Sequence, residues 1–316
     1  MLVGITGGTG FIGQAIVARH LDRGDRVRVL SRRSRDRVGL PDAVEIVQGD
    51  LIGIGARESL KVFAAGLDVL YHCAGEIRDE SRMHALHMGG TRTLLEAAVG
   101  QIGRWVQLSS VGVYGPHRVG VVTEGTAPNP GGLYEVTKKA SDDLVIAARE
   151  RGDLESFTVL RPSIVFGANM PNRSIFQMVR MIELGLFFFI GAPGASANYI
   201  VVSNVVDALV LCATQPQAAD RIYNLSDWST MEDFVGAIST AVGRFPPRVR
   251  IPETPVRLLA RTMELVPRTP LTESRVDAMV NRARYSIDRI QSELGYAHAV
   301  SIADGLRNLV AAREAI

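Results

Sequence analysis

The stretch LVGITGGTGFIG, residues 2–13, decides the fold of this chain. The apolar run Leu2–Thr6 predicts a strand, and the pattern that starts at Phe11 predicts a helix that ends near Gly24. Between them, three spaced glycines permit a tight turn, a close approach of backbone to a pyrophosphate, and close packing of helix on sheet. Because a helix start also offers free N–H groups to phosphates, the turn predicts a dinucleotide site formed by Gly7, Thr9, Gly10, Phe11, Ile12 and Gly13.

Outward from this turn, short apolar runs alternate with helical patterns. We predict strands near residues 25–31, 44–47, 68–72, 105–109 and 157–161, and helices near 56–65, 82–102 and 133–151. This alternation predicts an α/β fold with a doubly wound parallel (Rossmann) sheet. After Gly167 the pattern becomes mixed, which predicts a smaller α/β substrate-binding domain. We expect the Rossmann domain to comprise residues 1–168 and about 199–226, and the substrate-binding domain about 169–198 and 227–316.

The composition narrows the classes of function. The 316 residues include 35 Lys+Arg and 33 Asp+Glu, a net charge of +2, which gives no electrostatic footprint for nucleic acid. No run approaches the roughly 20 apolar residues that span a bilayer, so we expect no membrane partner. The two cysteines, Cys73 and Cys212, have no metal-ligand spacing. We therefore expect no metal, and a cytoplasmic protein.

The end of the second predicted strand bears on the choice of dinucleotide. NAD-selective sites place a carboxylate there for the ribose 2′-hydroxyl, whereas this chain has Ser31, Arg32 and Arg33. A guanidinium can bind a 2′-phosphate with two hydrogen bonds, so the sequence favours NADP, with NAD as the alternative. Asp50 and Leu51, after the third strand, are predicted to flank the adenine.

Two further segments carry candidate catalytic groups: LSSVGVYG, residues 108–115, and YEVTK, residues 134–138. The spacing of four residues places Tyr134 and Lys138 on one helical face. A nearby ammonium lowers the pKa of a phenol, as does a positive nicotinamide, so we expect Tyr134 to exchange a proton with a carbonyl or alcohol oxygen near neutral pH. Ser110 is placed to hydrogen-bond that oxygen, and Lys138 to hold the nicotinamide ribose as well.

These motifs, with GDL (49–51), YHCAG (71–75), GTRTLLEAA (90–98) and LRPSIVFG (160–167), resemble the extended short-chain dehydrogenase/reductase superfamily. The likeness is to its nucleotide-sugar epimerases, dehydratases and reductases. It implies that Ser110, Tyr134 and Lys138 are catalytic, and that Tyr134 and Lys138 also contact the cofactor. It further implies that Cys73, Ala74 and Gly75 lie beside the cofactor, and that the protein is a homodimer.

The chain departs from the family pattern at several positions. His87 stands where the family often has Asn, and Ile164 where many nucleotide-sugar members have an Asn that holds the diphosphate. Asn172 and Arg275 are candidate replacements that contact the substrate.

The likeness also bears on the reaction. The family's 4,6-dehydratases carry an acid and a base just after the serine, where this chain has Val111 and Gly112, so elimination of water is disfavoured. We expect an NADP-dependent 4-keto-sugar reductase that makes polysaccharide precursors. The alternatives are a nucleotide-sugar 4-epimerase, a reductase of a hydrophobic steroid- or flavonoid-like ketone, and a non-catalytic nucleotide-binding regulatory protein.

Overall fold

Seven parallel strands form the central sheet of the computed structural model, which describes residues 1–171, 174–263 and 272–314. Their spatial order is β11-β7-β5-β4-β1-β2-β3. The bounds of these strands are β1 Leu2–Thr6, β2 Arg26–Ser31, β3 Glu45–Gln48, β4 Leu67–His72, β5 Ile102–Leu108, β7 Phe157–Pro162 and β11 Arg221–Leu225. The order reverses beside β1, which pairs with both β2 and β4. The doubly wound Rossmann sheet is thereby confirmed, and such a reversal opens a ligand crevice at the carboxyl ends of the strands.

Helices cover both faces of this sheet. One core unites the sheet with α1, α7 and α11, and the other unites it with α2, α4 and α5. The helices of the described residues are α1 Phe11–Asp22, α2 Ala56–Ala64, α3 Glu80–His84, α4 Thr91–Ala98, α5 Leu133–Glu150, α6 Ser174–Glu183, α7 Val202–Thr214, α8 Met231–Ala241, α9 Glu253–Met263, α10 Glu273–Val280, α11 Asp288–Leu294 and α12 Ile302–Glu314. Since both faces are buried, the sheet strands are continuous apolar runs such as VLY in β4.

A second group of elements lies outside the large sheet. A small sheet has the order β12-β10-β8, and two short pairs join β13 to β9 and β14 to β6. These strands are β6 Val119–Val122, β8 Ile164–Phe166, β9 Phe189–Ile190, β10 Ser196–Val201, β12 Asp227–Thr230, β13 Arg250–Ile251 and β14 Arg282–Tyr285. An apolar core that includes Phe166, Phe234 and Leu306 packs α6, α8 and α12 together. The division into two domains stays a prediction; α11, from the second predicted domain, packs on the large sheet's core.

The single helix predicted over residues 82–102 is wrong. The segment consists of α3, a π-helical turn at Ala85–Gly90, and α4, and residue 102 already begins β5. Gly100 has φ +64°, a left-handed conformation that glycine adopts without strain. The chain therefore leaves the helix at Val99, although the apolar spacing continues beyond it.

The first glycine turn permits a test of the fold. A Cβ at Gly13 would overlap the carbonyl oxygen of Gly7, whereas a Cβ at Gly236 in α8 meets no atom within 4 Å. Gly13→Ala is expected to lower the free energy of unfolding by about 1–3 kcal/mol through overpacking. Gly236→Ala, the matched control, is expected to raise it by up to about 1 kcal/mol. Urea unfolding measures both, and equal effects would contradict the assigned packing.

Candidate active site

The glycine turn after β1 leaves no room for side chains. Gly7 has φ +71°, and a Cβ there would lie 2.8 Å from the backbone of Cys73 and Ala74 at the end of β4. The Gly10 amide donates to the Gly7 carbonyl at 2.9 Å, which closes the turn. The turn therefore presents bare backbone at the crevice between β1 and β4.

The N-terminus of α1 is open to a ligand. Its N-cap, Gly10, supplies no side-chain cap, and the first turn holds no acidic residue. Thr9 and Gly10 are exposed, so the first N–H groups and the positive end of the helix dipole face solvent. These features fit the pyrophosphate of a dinucleotide, which the turn would hold through backbone N–H groups.

The end of β2 presents two unengaged guanidinium groups. Ser31 is buried, and its hydroxyl oxygen accepts the Arg33 amide at 3.0 Å. Arg32 and Arg33 are exposed, and within the described ranges their side chains make no hydrogen bond or ion pair. Arg35, by contrast, donates to the Asp42 carboxylate at 2.7 Å. Arg32 and Arg33 are therefore the arginines at this strand end that can meet a phosphate.

The ends of β3 and β4 complete the expected cofactor crevice. Asp50 is half-buried, whereas Leu51 is buried. Leu51 packs closely on Gly90, because a Cβ added to that glycine would lie 3.0 Å from the Leu51 Cβ. Leu51 thus supports the crevice from within the core. At the end of β4, the Cys73 amide donates to the Thr6 carbonyl at 3.2 Å, and the Ala74 amide to the Thr6 hydroxyl at 3.3 Å. These bonds hold residues 73–75 against the glycine turn.

Cys73 contributes no reactive thiolate. Burial raises the pKa of its thiol to about 12. The side chain is therefore a neutral thiol that packs against the core of the large sheet.

Ser110 lies just beyond the carboxyl end of β5. It is half-buried, and its hydroxyl oxygen accepts the Gly112 amide at 3.1 Å. Among the described residues no acceptor receives its hydroxyl hydrogen. Ser110 can therefore donate to a ligand oxygen, and its catalytic role stays a prediction.

Helix α5 is joined to the same strand end by Lys138. The Lys138 side chain is buried, and its ammonium donates to the Leu108 carbonyl at 2.6 Å. Tyr134, one turn earlier, packs edge-on against the His87 ring, with centroids 5.8 Å apart. The three predicted catalytic residues thus come from segments that pack against one another, with Leu108 joining the lysine to the serine loop.

The pKa expected for Tyr134 is wrong in this structure. Burial raises the pKa of the Tyr134 phenol to about 12, and the negative charges of Glu135 and Asp142 act in the same direction. The Lys138 ammonium is engaged with the Leu108 carbonyl rather than with the phenol. Tyr134 therefore holds its proton at neutral pH.

A buried charge cluster lies behind Lys138. Asp142 and Arg161 form an ion pair at 3.1 Å, with side chains 0% and 3% exposed. The Ser109 hydroxyl donates to Asp142 at 2.8 Å, and Arg161 donates to the Tyr114 hydroxyl at 3.0 Å. Burial lowers the pKa of Lys138, and the negative charge of Asp142 opposes that shift. The cluster thus places a negative charge near the ammonium.

His87 is a site residue whose role the sequence left open. It is buried, and its Nε2 accepts the Glu76 amide at 2.9 Å. Its Nδ1 therefore carries the hydrogen and donates to the Thr137 hydroxyl at 2.8 Å. Burial and the Lys138 ammonium lower the pKa of His87 to about 4, so the ring is neutral. His87 ties the loop after β4 to the start of α5.

His72 holds a second neutral ring behind the glycine turn. Burial lowers its pKa to about 3, its Nδ1 bonds the Thr6 hydroxyl at 2.8 Å, and its Nε2 bonds the Thr91 hydroxyl at 3.0 Å. These bonds connect β1, β4 and α4 directly below the crevice.

Glu135 was not predicted as a site residue. A Cβ on Gly112 would lie 2.9 Å from Glu135 Cγ and 3.3 Å from Ser110 Oγ. The carboxylate of the residue after Tyr134 therefore reaches the serine loop. Its position within YEVTK is the only sequence signal, and sequence alone did not show where its side chain points.

The predicted substrate residues are less closely tied to this centre. Arg275, on α10, donates to the Gln177 side chain at 3.3 Å, which places it beside α6. Asn172 lies outside the described residues. Ile164 is 48% exposed on β8, so a large apolar side chain is presented where the family often has a polar one.

An open cavity of about 610 Å³ lies between the loop after β4 and α6. The Arg78 guanidinium lines it and donates to the Pro171 carbonyl at 2.7 Å. Its other lining residues are Met170, Phe176 and Arg313. The cavity has the size of a small-molecule site and offers both cationic and apolar walls.

Within the described residues, no helix is long and apolar enough to span a membrane. The same part of the chain has no group of three or more His, Cys, Asp or Glu side chains that could hold a metal ion.

Comparisons with known proteins agree with the fold and the motifs. Residues 3–226 match the model of the NAD dependent epimerase/dehydratase family. A 4-hydroxy-2-methyl-3-oxo-4-farnesyl-3,4-dihydroquinoline-1-oxide ketoreductase of Stigmatella aurantiaca is 28% identical over 96% of this chain and 93% of its own. A dTDP-glucose 4,6-dehydratase of Streptomyces griseus is 27% identical over 97% and 92%. The structure of MoeE5 in complex with UDP-glucuronic acid and NAD superposes with a TM-score of 0.76, 24% identity and full coverage of both chains.

The chain therefore belongs to the NAD dependent epimerase/dehydratase family, within the extended short-chain dehydrogenase/reductase proteins. It is an NAD(P)-dependent enzyme of the oxidoreductase and epimerase type.

The neutral state of His87 makes the fold sensitive to acid. Its folded pKa of about 4 lies below the ordinary histidine pKa of 6.5, so the unfolded chain binds the proton more readily. The contribution of His87 to the free energy of unfolding is thus fully present above pH 6.5 and is lost as the pH falls towards 4. The loss from this residue amounts to up to about 3 kcal/mol. We expect His87→Gln, which keeps a donor and an acceptor, to show a smaller loss between pH 6.5 and 4 in urea unfolding. Since both proteins keep His72, the difference isolates His87, and identical pH slopes would refute the assignment.

Proposed function

We propose that this protein is an NADP-dependent ketone reductase that acts on a keto group of a nucleotide-linked sugar. The observation that carries the proposal is the packing of α5, which bears the neutral phenol of Tyr134, against the strand end that leads to Ser110. The Ser110 hydroxyl hydrogen has no acceptor among the described residues. Reduction of a ketone needs a proton donor, and a phenol whose pKa is about 12 holds its proton at neutral pH.

Each site residue has its own role in the proposed reaction. The Ser110 hydroxyl donates a hydrogen bond to the ketone oxygen, where negative charge develops. NADPH, when bound, supplies the hydride for the carbonyl carbon. Tyr134 gives its proton to the oxygen, which yields the alcohol, and the phenolate regains a proton from solvent. Lys138, fixed by the Leu108 carbonyl, keeps the start of α5 and Tyr134 at the end of β5 and is placed to hold the nicotinamide ribose.

The preference for NADP rests on Arg32 and Arg33. Both are exposed at the end of β2 without a partner in the described part of the chain, so each is available to a 2′-phosphate. No carboxylate stands at positions 31–33 to accept from a ribose 2′-hydroxyl.

A nucleotide sugar as substrate is supported by the cavity beside the loop after β4. Its volume of about 610 Å³ and the Arg78 guanidinium suit a ligand that carries phosphate. The fold it shares with MoeE5, described with UDP-glucuronic acid and NAD, is in keeping with such a ligand. The cytoplasmic location and the homodimer both stay predictions.

A hydrophobic ketone is the second candidate substrate. The exposed Ile164 favours it, because an aliphatic side chain cannot hold a diphosphate. The similar ketoreductase of Stigmatella aurantiaca is named for a substrate with a farnesyl chain.

The role of Tyr134 predicts a specific loss of turnover. Tyr134→Phe is expected to lower kcat for NADPH oxidation with a keto-sugar nucleotide by at least about 100-fold, since the proton donor is removed. The dissociation constant for NADPH is expected to stay within about threefold, because the ring is kept. Stopped-flow turnover and fluorescence titration measure the two. Unchanged turnover would overturn the assignment, and lost NADPH binding would point to a structural role.

The role of the two arginines predicts a change of cofactor preference. The double variant Arg32→Ala/Arg33→Ala is expected to weaken NADPH binding by about 10- to 100-fold, because charge-assisted hydrogen bonds to the 2′-phosphate are lost. NADH binding is expected to change by less than about twofold. Arg37→Ala, from the same loop, serves as the control. Equal losses for both nucleotides would contradict NADP selectivity.

A further inference from the structure

Glu135 places a carboxylate next to the serine loop. A Cβ on Gly112 would stand 2.9 Å from Glu135 Cγ, 3.7 Å from its Oε1 and 3.3 Å from Ser110 Oγ. One carboxylate oxygen of Glu135 and the Ser110 hydroxyl therefore both lie within 4 Å of the position that a Cβ on Gly112 would take. A Cβ on Gly132, the N-cap of α5, would overlap the other oxygen, Oε2. The carboxylate thus occupies a slot between two glycines, which any side chain at 112 or 132 would fill.

This carboxylate has no partner in the protein. Within residues 1–171, 174–263 and 272–314, Glu135 makes no hydrogen bond and no ion pair. The next carboxylates on α5, in contrast, are engaged: Asp142 pairs with Arg161, and Asp143 with Lys139 at 2.6 Å. Glu135 therefore keeps its full capacity to accept hydrogen bonds.

The residues around the slot keep part of their surface accessible. Ser110, Gly112, Tyr134 and Glu135 are each half-buried, whereas Val111 and Val113, their neighbours in the loop, are buried. A ligand can therefore reach this part of the loop, and a ketone bonded to the Ser110 hydroxyl would have its neighbouring carbon near the Glu135 carboxylate.

We propose that Glu135 selects ketones that carry a hydroxyl group on the carbon next to the carbonyl, by accepting a hydrogen bond from that hydroxyl. This rests on the proposed ketone reduction and names its substrate class as α-hydroxy ketones. Keto-sugars belong to this class. A ketone without a neighbouring hydroxyl would displace water from the Glu135 carboxylate and offer it no hydrogen-bond donor in return. A 3-oxo acid brings a second negative charge next to Glu135, which disfavours its binding.

The charge of Glu135 also acts on the proton donor. Besides burial, its negative charge is among the causes that raise the pKa of Tyr134. The other groups near the phenol are neutral His87 at 5.8 Å between ring centroids, and Lys138 and Asp142 further along α5. One residue can therefore contribute to both substrate choice and protonation of the phenol.

The experiment compares matched ketones that differ in one hydroxyl. The pairs are 2-hydroxycyclohexanone with cyclohexanone, and CDP-4-keto-6-deoxyglucose with CDP-4-keto-3,6-dideoxyglucose, each with NADPH. The proteins are wild type, Glu135→Gln, Glu135→Ala and the control Glu150→Ala, an exposed residue at the far end of α5. Glu135→Ala is expected to lower kcat/KM for the hydroxylated member by about 10- to 100-fold, the effect of a hydrogen bond to a charged group. It is expected to change the other member less than about twofold, and the Gln amide oxygen is expected to restore part of the difference.

The outcomes separate this proposal from the reductase proposal. Turnover by the wild type without preference for the hydroxylated member, or an equal fall for both members in Glu135→Ala, overturns the role of Glu135 and leaves ketone reduction standing. If the wild type oxidises no NADPH with any of the four ketones, the proposed reduction fails and the role of Glu135 fails with it. A shift caused by Glu150→Ala would show that the effect belongs to the helix rather than to the slot.

Discussion

The hydrogen bond from the Lys138 ammonium to the Leu108 carbonyl joins the halves of the site. It measures 2.6 Å and is buried, so water does not compete for it. It holds α5 against the carboxyl end of β5, from which the serine loop begins. Tyr134 lies one turn before Lys138 on the same helix, and Ser110 two residues after Leu108. Together with the bond from the Ser109 hydroxyl to Asp142, this contact fixes α5 relative to the serine loop.

The surroundings of this contact explain why a charge can be buried there. Asp142 and Arg161 form an ion pair behind the lysine, and Asp142 lies one helical turn after it. Burying an ammonium is costly unless an opposite charge and hydrogen bonds compensate, and here both are present. On the other side, neutral His87 connects α5 to the loop after β4. Polar groups from several elements thus hold the site together, while Glu135 and the hydroxyl hydrogen of Ser110 have no partner among the described residues.

Much of this arrangement could be predicted from local patterns. The strand–glycine–helix start at residues 2–13 was predictable because glycine spacing at a turn has few structural solutions. The placement of Tyr134 and Lys138 one turn apart on the same helix followed from helical periodicity. The lowered pKa of Tyr134 was predicted wrongly, because charge spacing along a sequence says nothing about burial. The helix over residues 82–102 was predicted too long, because apolar spacing does not show where Gly100 turns the chain.

By itself, the sequence determined the sheet and the glycine turn, since these depend on short-range spacing and on residue types with few alternatives. It predicts the catalytic trio on the same grounds. The tertiary structure alone decided which groups remain free. Arg32 and Arg33 differ from Arg35 in having no partner within the described part of the chain, and Glu135 differs from Asp142 in the same way. The physical reason is that folding brings distant segments together. Whether a charged side chain finds an ion-pair or hydrogen-bond partner depends on which segment comes to lie beside it.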